Sequence, residues 1–343
     1  MAFEINQTSQ FQPAVVQDGN GWFHMVFRSE DNSNRVLYVQ SPNGQPGTWI
    51  ASNDNFETRQ TSSAAPALAV ARIPEAPPYA GRSLLVCAFI ANDPSNRILY
   101  TYLHLPPTNF VGPDKPSPPK FPVTAGWEAA NGAQTPQVSN DSARGISALA
   151  RGPGVNPFGW RVYYLSNDPS DRLLGANIPT DAGPTLDFAV GDETSQFQPS
   201  VIFDSRRNTF HMVFLSQDNS NSLLYITSAD GRYWSNATYI QQTSHAAPAL
   251  ALCQFLRPNL AEHWLDLVSN RLAVVFIAND PSNQILYTWR NLDDADIHFV
   301  DAQPVPDESA RAVSALGSGK SVTVFFLSND PSNRLLQAGF ELP

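Results

Sequence analysis

The chain has 343 residues, a formal net charge of −10, 42% hydrophobic residues and only 15% charged ones. That balance describes a globular chain rather than a disordered one, and its acidity argues against a nucleic-acid partner, which needs a positive surface. No apolar stretch reaches the roughly 20 residues of a membrane-spanning helix.

The N-terminal Met1-Ala2-Phe3-Glu4 has neither a basic region nor an apolar core. No signal peptide is predicted there, so a cytoplasmic location or a non-classical secretion route is expected, and classical secretion only if a leader has been removed. Phe3-Glu4-Ile5 reads as a short strand in need of a sheet. After it the chain repeats one four-strand pattern. In the first repeat, strand A is Pro13-Ala14-Val15-Val16, strand B is Trp22 to Phe27 and strand C is Val36-Leu37-Tyr38-Val39. Strand D follows Trp49 and runs toward Thr61.

The B–C connection is a polar turn that occurs six times: at Asp31, Asp93, Asp168, Asp218, Asp280 and Asp330, each followed two residues later by Ser and three residues later by Asn or Asp. A polar Asp-x-Ser-Asn turn between two apolar runs predicts a β-hairpin. Six such hairpins, spaced roughly 50 to 80 residues apart, predict a repeat protein. The expected fold is all-β: a six-bladed propeller of four-stranded antiparallel blades in a single domain. The blades are expected at about 11–61, 62–143, 144–193, 194–243, 244–308 and 309–343, the last completed by 1–8. The last repeat ends after its strand C, so residues 1–8 are expected to supply the missing strand and cover the open edge.

A duplication lies above the single repeats. Thr8-Ser9-Gln10-Phe11-Gln12-Pro13 returns as Thr194-Ser195-Gln196-Phe197-Gln198-Pro199, and Ala143-Arg144 returns as Ala310-Arg311. Three repeats are thus written twice. The longest insertion, residues 105–143, holds a proline-rich run at 113–122 and is expected to be a loop excursion. Cys87 and Cys253 sit at non-equivalent positions and read as buried thiols.

Through its Phe-x-Ala-Asn-Asp-x-Ser-Asn repeats the chain resembles lectin-like bacterial and fungal β-propellers over nearly its whole length. Ser228-Ala229-Asp230-Gly231-Arg232-Tyr233-Trp234 resembles the Asp-box of sialidase-like propellers, one residue short, and Ser41-Pro42-Asn43-Gly44 with Trp49 is a degenerate echo. In that family the Asp-box is a C–D turn, so the resemblance implies blades rather than catalysis. The first resemblance implies carbohydrate binding.

Candidate ligand residues come from repeat slots that vary. The slot before strand A holds Gln10, Ser63, Arg144, Gln196, His245 and Arg311, and the next slot is aromatic only at Phe11 and Phe197. In a propeller these connections ring the mouth of the central channel, where two arginines and a histidine would suit an anionic or polyhydroxylated ligand. Three residues before the turn Asp, five repeats carry Leu or Ile and the first carries Arg28. That charge needs a partner, for which Glu30 is the candidate, or else it contacts ligand. His24 and His211 share a strand-B slot and read as buried, hydrogen-bonded histidines.

The turn aspartates suit calcium chemically, but side-chain bonding to turn amides accounts for them better. No metal site and no cofactor is expected: phosphate-binding loop, dinucleotide fingerprint, nucleophile elbow and paired-cysteine motif are all missing from the sequence. Three functions remain open. One is glycan binding. Another is an enzyme with one site at the channel mouth, acting on a small anionic or phenolic substrate as a lyase, isomerase or cyclase. There Arg28, Arg144 and Arg311 would hold the anion, His245 would move a proton, and glycoside hydrolysis is the lesser variant. The third is a protein-interaction scaffold.

Overall fold

The computed structural model describes residues 3–45, 47–51, 57–72, 83–105, 127, 137–150, 159–179, 186–256, 268–294 and 298–343. Most of the 105–143 insertion, including its proline run, lies outside the described residues. Among the described residues the regular structure is entirely β. In chain order the strands are β1 (Phe3–Thr8), β2 (Ala14–Gln17), β3 (Phe23–Arg28), β4 (Arg35–Ser41), β5 (Ile50–Ala51), β6 (Glu57–Thr61), β7 (Ala67–Arg72) and β8 (Ser83–Ile90). They continue with β9 (Arg97–Leu105), β10 (Gln137–Ala150), β11 (Gly159–Ser166), β12 (Arg172–Pro179), β13 (Leu186–Thr194), β14 (Ser200–Asp204), β15 (Thr209–Leu215) and β16 (Ser222–Ser228). The last are β17 (Thr238–Thr243), β18 (Ala249–Leu256), β19 (Val268–Ile277), β20 (Gln284–Asn291), β21 (Gln303–Ser318), β22 (Ser321–Ser328) and β23 (Arg334–Glu341).

The strand pairs form antiparallel units that repeat along the chain. The first is β2-β3-β4, whose outer partner is split between β5 and β6. The second is β7-β8-β9 with the first part of β10, and the third is the rest of β10 with β11-β12-β13. The fourth is β14-β15-β16-β17. The fifth is β18-β19-β20 with the first part of β21, and the sixth is the rest of β21 with β22, β23 and β1. The N-terminal strand therefore completes the C-terminal unit, as the sequence led us to expect: Phe3 lies opposite Gln337 and Glu4 opposite Leu336.

Both faces of the middle strands are buried, which explains why strand B reads as a continuous apolar run rather than an alternating one. Along β3, Met25 and Phe27 pack with Phe325 and Leu327 of the sixth unit, whereas Val26 packs with Leu85 and Phe89 of the second. Along β15, Met212 and Phe214 face Tyr163 of the third unit, while Val213 and Leu215 face Leu272 and Val274 of the fifth. Each unit is sandwiched by its neighbours. The first strands of the units, β2, β7, β10, β14, β18 and β21, contact one another in that order, and β21 contacts β2 in turn. Cys87 and Cys253 are buried free thiols, and burial raises both thiol pKa values.

The repeated turn has one construction throughout. The Asp side chain accepts the amide of the following Ser, at 3.1 Å in Asp31, 3.0 Å in Asp218 and 2.8 Å in Asp93, Asp168, Asp280 and Asp330. The same carboxylate oxygen also accepts the Ser hydroxyl. The final residue of each turn (Asn34, Asn96, Asp171, Asn221, Asn283 or Asn333) is left-handed, with φ between 47° and 56°. Asn and Asp tolerate that region better than other side chains, so the turn selects them. The carboxylates are spent on the turn itself, as a local structural role requires.

Two predictions follow from this architecture. Deleting residues 1–8 removes β1 and exposes the edge of β23, so the melting temperature should fall by about 5 °C or more; an unchanged melt would contradict the pairing. The bonds from serine hold all six turn carboxylates below the usual aspartate range. Groups with depressed folded values add stability above the unfolded value of about 3.9 and lose it as pH falls through the folded values. Thermal stability should therefore be flat in this respect above about pH 5 and drop steadily below about pH 4. Melts that are flat down to pH 2 would contradict it.

Candidate functional site

The units' first strands surround two cavities stacked along a common axis. The deeper one, about 320 Å³, is lined by strand residues including Ala14, Val16, Ala67, Ala69, Val201 and Leu316. The other, about 340 Å³, opens at the end where the turns lie. Its lining includes Gln10, Phe11, Gln12, Arg144, Gln196, Phe197, Gln198 and Arg311. Six of the eight ligand residues proposed from sequence thus meet at one mouth. Arg28 and His245 are not among its lining residues.

The two arginines reach the mouth through matching backbone irregularities. Along β10 the register passes from Ala143 opposite Ser166 to Gly145 opposite Leu165, leaving Arg144 as the extra residue. Along β21 it passes from Ala310 opposite Ser328 to Ala312 opposite Leu327, leaving Arg311 extra. A β-bulge re-aims the side chain at the extra position, and here it does so in both halves of the duplication. β10 and β21 run through these bulges without a break, so each serves two units.

The rim side chains also tie each connection to its own turn. Gln10 Nε2 donates to the Glu30 carbonyl at 2.9 Å, and Gln196 Nε2 donates to the Asp218 carbonyl at 3.0 Å. Arg311 donates to the carbonyls of Ser328 and Asp330, at 3.1 and 3.3 Å, and meets no carboxylate among the described residues. Arg144 differs: its guanidinium forms an ion pair with Asp171 at 2.6 Å. His245 bonds through Nδ1 to the Ala278 carbonyl at 2.7 Å. That contact commits the Nδ1 proton to the backbone and gives His245 the same tethering role as Gln10 and Gln196.

Two residues missed by the sequence reading form the floor of the mouth. Gln198 Nε2 donates to Gln12 Oε1 at 2.9 Å, although the residues are 186 positions apart. Both line both cavities, so this amide pair marks the boundary between them. The signal was available: the corresponding slot holds Ala65, Ile146, Ala247 or Val313 in the other repeats.

Arg28 lies behind the mouth. Its side chain donates to the Ser63 carbonyl at 3.1 Å and to the Asn34 side chain, and its guanidinium stacks on Phe11, 4.7 Å from the ring centre. Glu30 is not its partner. The Glu30 carboxylate instead accepts from Asn333 Nδ2 at 2.6 Å, drawn to the adjoining sixth unit. Arg28 Nε is buried without a hydrogen bond, and desolvation lowers the guanidinium pKa.

His24 and His211 are buried, and each bonds through Nδ1 to a strand-C tyrosine, Tyr38 and Tyr225, at 2.7 Å. Burial foremost, then the charges of Arg290 and Arg207, pushes His211 down to about 4, so it is neutral at ordinary pH. The 228–234 segment forms the turn between β16 and β17. Asp230 accepts the amides of Arg232 and Tyr233 at 2.8 and 3.0 Å, and Tyr163 and Arg161 of the third unit bond the carbonyls of Gly231 and Asp230. The first unit repeats the device: Gln337 Nε2 donates to the Gly44 carbonyl at 2.6 Å. These turns clasp neighbouring units away from the mouth.

No family model matches the chain, and no curated protein matches it by sequence. Solved structures do resemble it. A fungal lectin from Aleuria aurantia, described as a six-bladed β-propeller with a novel fucose recognition mode, aligns at TM-score 0.56 and 12% identity over 98% of this chain and 93% of its own. The α-L-arabinofuranosidase Arb93A from Fusarium graminearum aligns at 0.57 and 15% identity, over 99% and 97%. Trypanosoma rangeli sialidase aligns at 0.60 and 11% identity, over 97% of this chain and 55% of its own. At such identities the likeness establishes the fold alone: the chain is a β-propeller.

Gly231 has φ +70°, and a β-carbon there would run into the Arg161 guanidinium and lie 2.6 Å from the Tyr163 hydroxyl. Gly231→Ala should therefore cost about 1–3 kcal/mol in chemical denaturation. A loss below about 0.5 kcal/mol would show that the clasp is not a structural joint.

Proposed function

We propose that the chain is a six-bladed propeller, closed by its N-terminal strand, that binds carbohydrate at the mouth of its central channel. The six repeated turns, the β1–β23 pairing and the contact of β21 with β2 support the blade count and the closure. One observation carries the binding reading: a cavity of about 340 Å³ is edged by two phenylalanines, its polar lining consists of glutamine amides and two arginines, and small or aliphatic residues such as Ala64, Ala246 and Leu327 complete the wall. Aromatic faces take the apolar face of a sugar ring, and amides and guanidiniums take its hydroxyls. The volume falls at the lower end of the range for small-ligand sites. The lectin among the structural neighbours is in keeping with this use of the fold.

The neighbours also include glycoside hydrolases, so the choice rests on the site. Hydrolysis of a glycoside needs a pair of carboxyl groups, or a nucleophile and an acid, flanking the bond. Among the described residues lining the mouth there is no carboxylate, histidine or tyrosine. His245, the candidate for proton transfer, does not line the mouth; its Nδ1 is anchored to the Ala278 carbonyl. These features favour binding over catalysis.

A glycan array followed by titration calorimetry tests the reading. One saturable site per chain is expected, and Phe197→Ala should weaken binding about tenfold while leaving the circular dichroism spectrum unchanged. Full affinity in that variant, or several equivalent sites per chain, would overturn the mouth as the binding site.

A further inference from the structure

The mouth is a duplicated structure with one break in its symmetry. Phe11 and Phe197 occupy corresponding positions, yet the side chains beneath them differ. Phe197 packs against a cluster that contains Leu215, whereas Phe11 covers Arg28, which occupies the same strand slot. The remaining repeats carry Ile90, Leu165, Ile277 and Leu327 there. Leu165 and Leu327 themselves line the mouth, so the slot faces it. The fold is therefore well served by a branched aliphatic residue at this point.

Arg28 is only 9% exposed, has no carboxylate partner among the described residues and keeps a buried Nε without a bond. Its partners are all neutral, the Ser63 carbonyl, the Asn34 side chain and the Phe11 face, so its charge is buried without a countercharge, a desolvation cost that leucine in this slot would not carry. Structural need does not account for it, because the fourth unit builds the same turn and the same aromatic cover on Leu215. Arg311, from the neighbouring sixth unit, is a second cation facing backbone carbonyls only, whereas Arg144 is neutralised by Asp171. The uncompensated positive charge of the mouth thus lies on its first- and sixth-unit side.

Resting on the carbohydrate reading, we propose that the mouth selects acidic sugars, whose carboxylate is received by Arg28 when the half-buried Phe11 turns aside, with Arg311 as the second cation. A neutral sugar would use the same amides and aromatic edges without this contact. The guanidinium, held by neutral acceptors and with Nε still unbonded, gains a charged acceptor when a carboxylate arrives, and that charge-assisted contact favours the acidic ligand.

The test compares glucuronic acid, its neutral methyl ester, glucose and inorganic sulfate by titration calorimetry against the full chain, Arg28→Leu and Arg311→Gln. Glucuronic acid should bind about tenfold or more tightly than its ester or glucose. Arg28→Leu should remove most of that preference and melt at the same or a higher temperature. Arg311→Gln, at an exposed bulge, should reduce the preference without affecting folding. Equal affinity for acid and ester overturns the inference. So does an Arg28→Leu variant with full preference and a lower melting temperature, which would mark Arg28 as structural. Sulfate binding as tightly as glucuronic acid would also overturn it, because the site would then take an anion and not a sugar. If glucose binds while acid and ester do not differ, only this inference fails. If no sugar on the array binds at all, the carbohydrate reading fails with it.

Discussion

One hydrogen bond, repeated in every unit, holds this molecule together. The left-handed residue that ends each B–C turn presents its carbonyl to the amide of a connecting segment beside it. Asn34 receives Ser62 at 2.9 Å, Asn96 receives Ala143 at 2.9 Å and Asp171 receives Ser195 at 3.0 Å. Asn221 receives Ser244 and Asn283 receives Ala310, both at 2.9 Å. Asn333 receives Ser9 at 3.0 Å, across the whole length of the chain. The left-handed conformation aims the carbonyl, and the Asp-Ser bonds rigidify the turn that supplies it. Since the connecting segment also carries the rim residue, the same bond that joins the units fixes where the mouth side chains begin. Fold and site therefore share one constraint.

Local features of this design were legible in the sequence. The Asp-x-Ser-Asn turns announced hairpins because their chemistry is contained within four residues, and the truncated last repeat announced the pairing of Phe3 and Glu4 with β23. The variable slots before each strand A bring Arg144, Arg311, Gln10, Gln196 and both phenylalanines to the lining of one cavity. What stayed hidden depends on neighbours distant in sequence. Glu30 looked like the partner of Arg28 because it is two residues away, yet Asn333, arriving from the end of the chain, takes its carboxylate. The repeat slot singles out Gln12 and Gln198 as polar, but their bond to each other spans two units and shows only in the folded chain. The bulges at Arg144 and Arg311 are invisible as composition, because a single extra residue in a strand leaves no compositional trace.

The duplication gives the mouth its chemical character. Paired phenylalanines, paired amides and paired bulged arginines surround the opening with near two-fold symmetry, and a symmetric opening offers a ligand two equivalent poses. The differences break that equivalence: Asp171 neutralises Arg144 where Asn333 leaves Arg311 uncompensated, and Arg28 replaces the aliphatic residue found elsewhere. Each is a difference of one side chain between corresponding repeat positions.

The most direct test of the central claim is a crystal structure of the full chain soaked with a saccharide that binds in solution. The account predicts sugar density at the channel mouth between Phe11 and Phe197, above the Gln12–Gln198 pair. Density only at the perimeter, between the outer strands of adjacent units, with the mouth holding solvent alone, would contradict it.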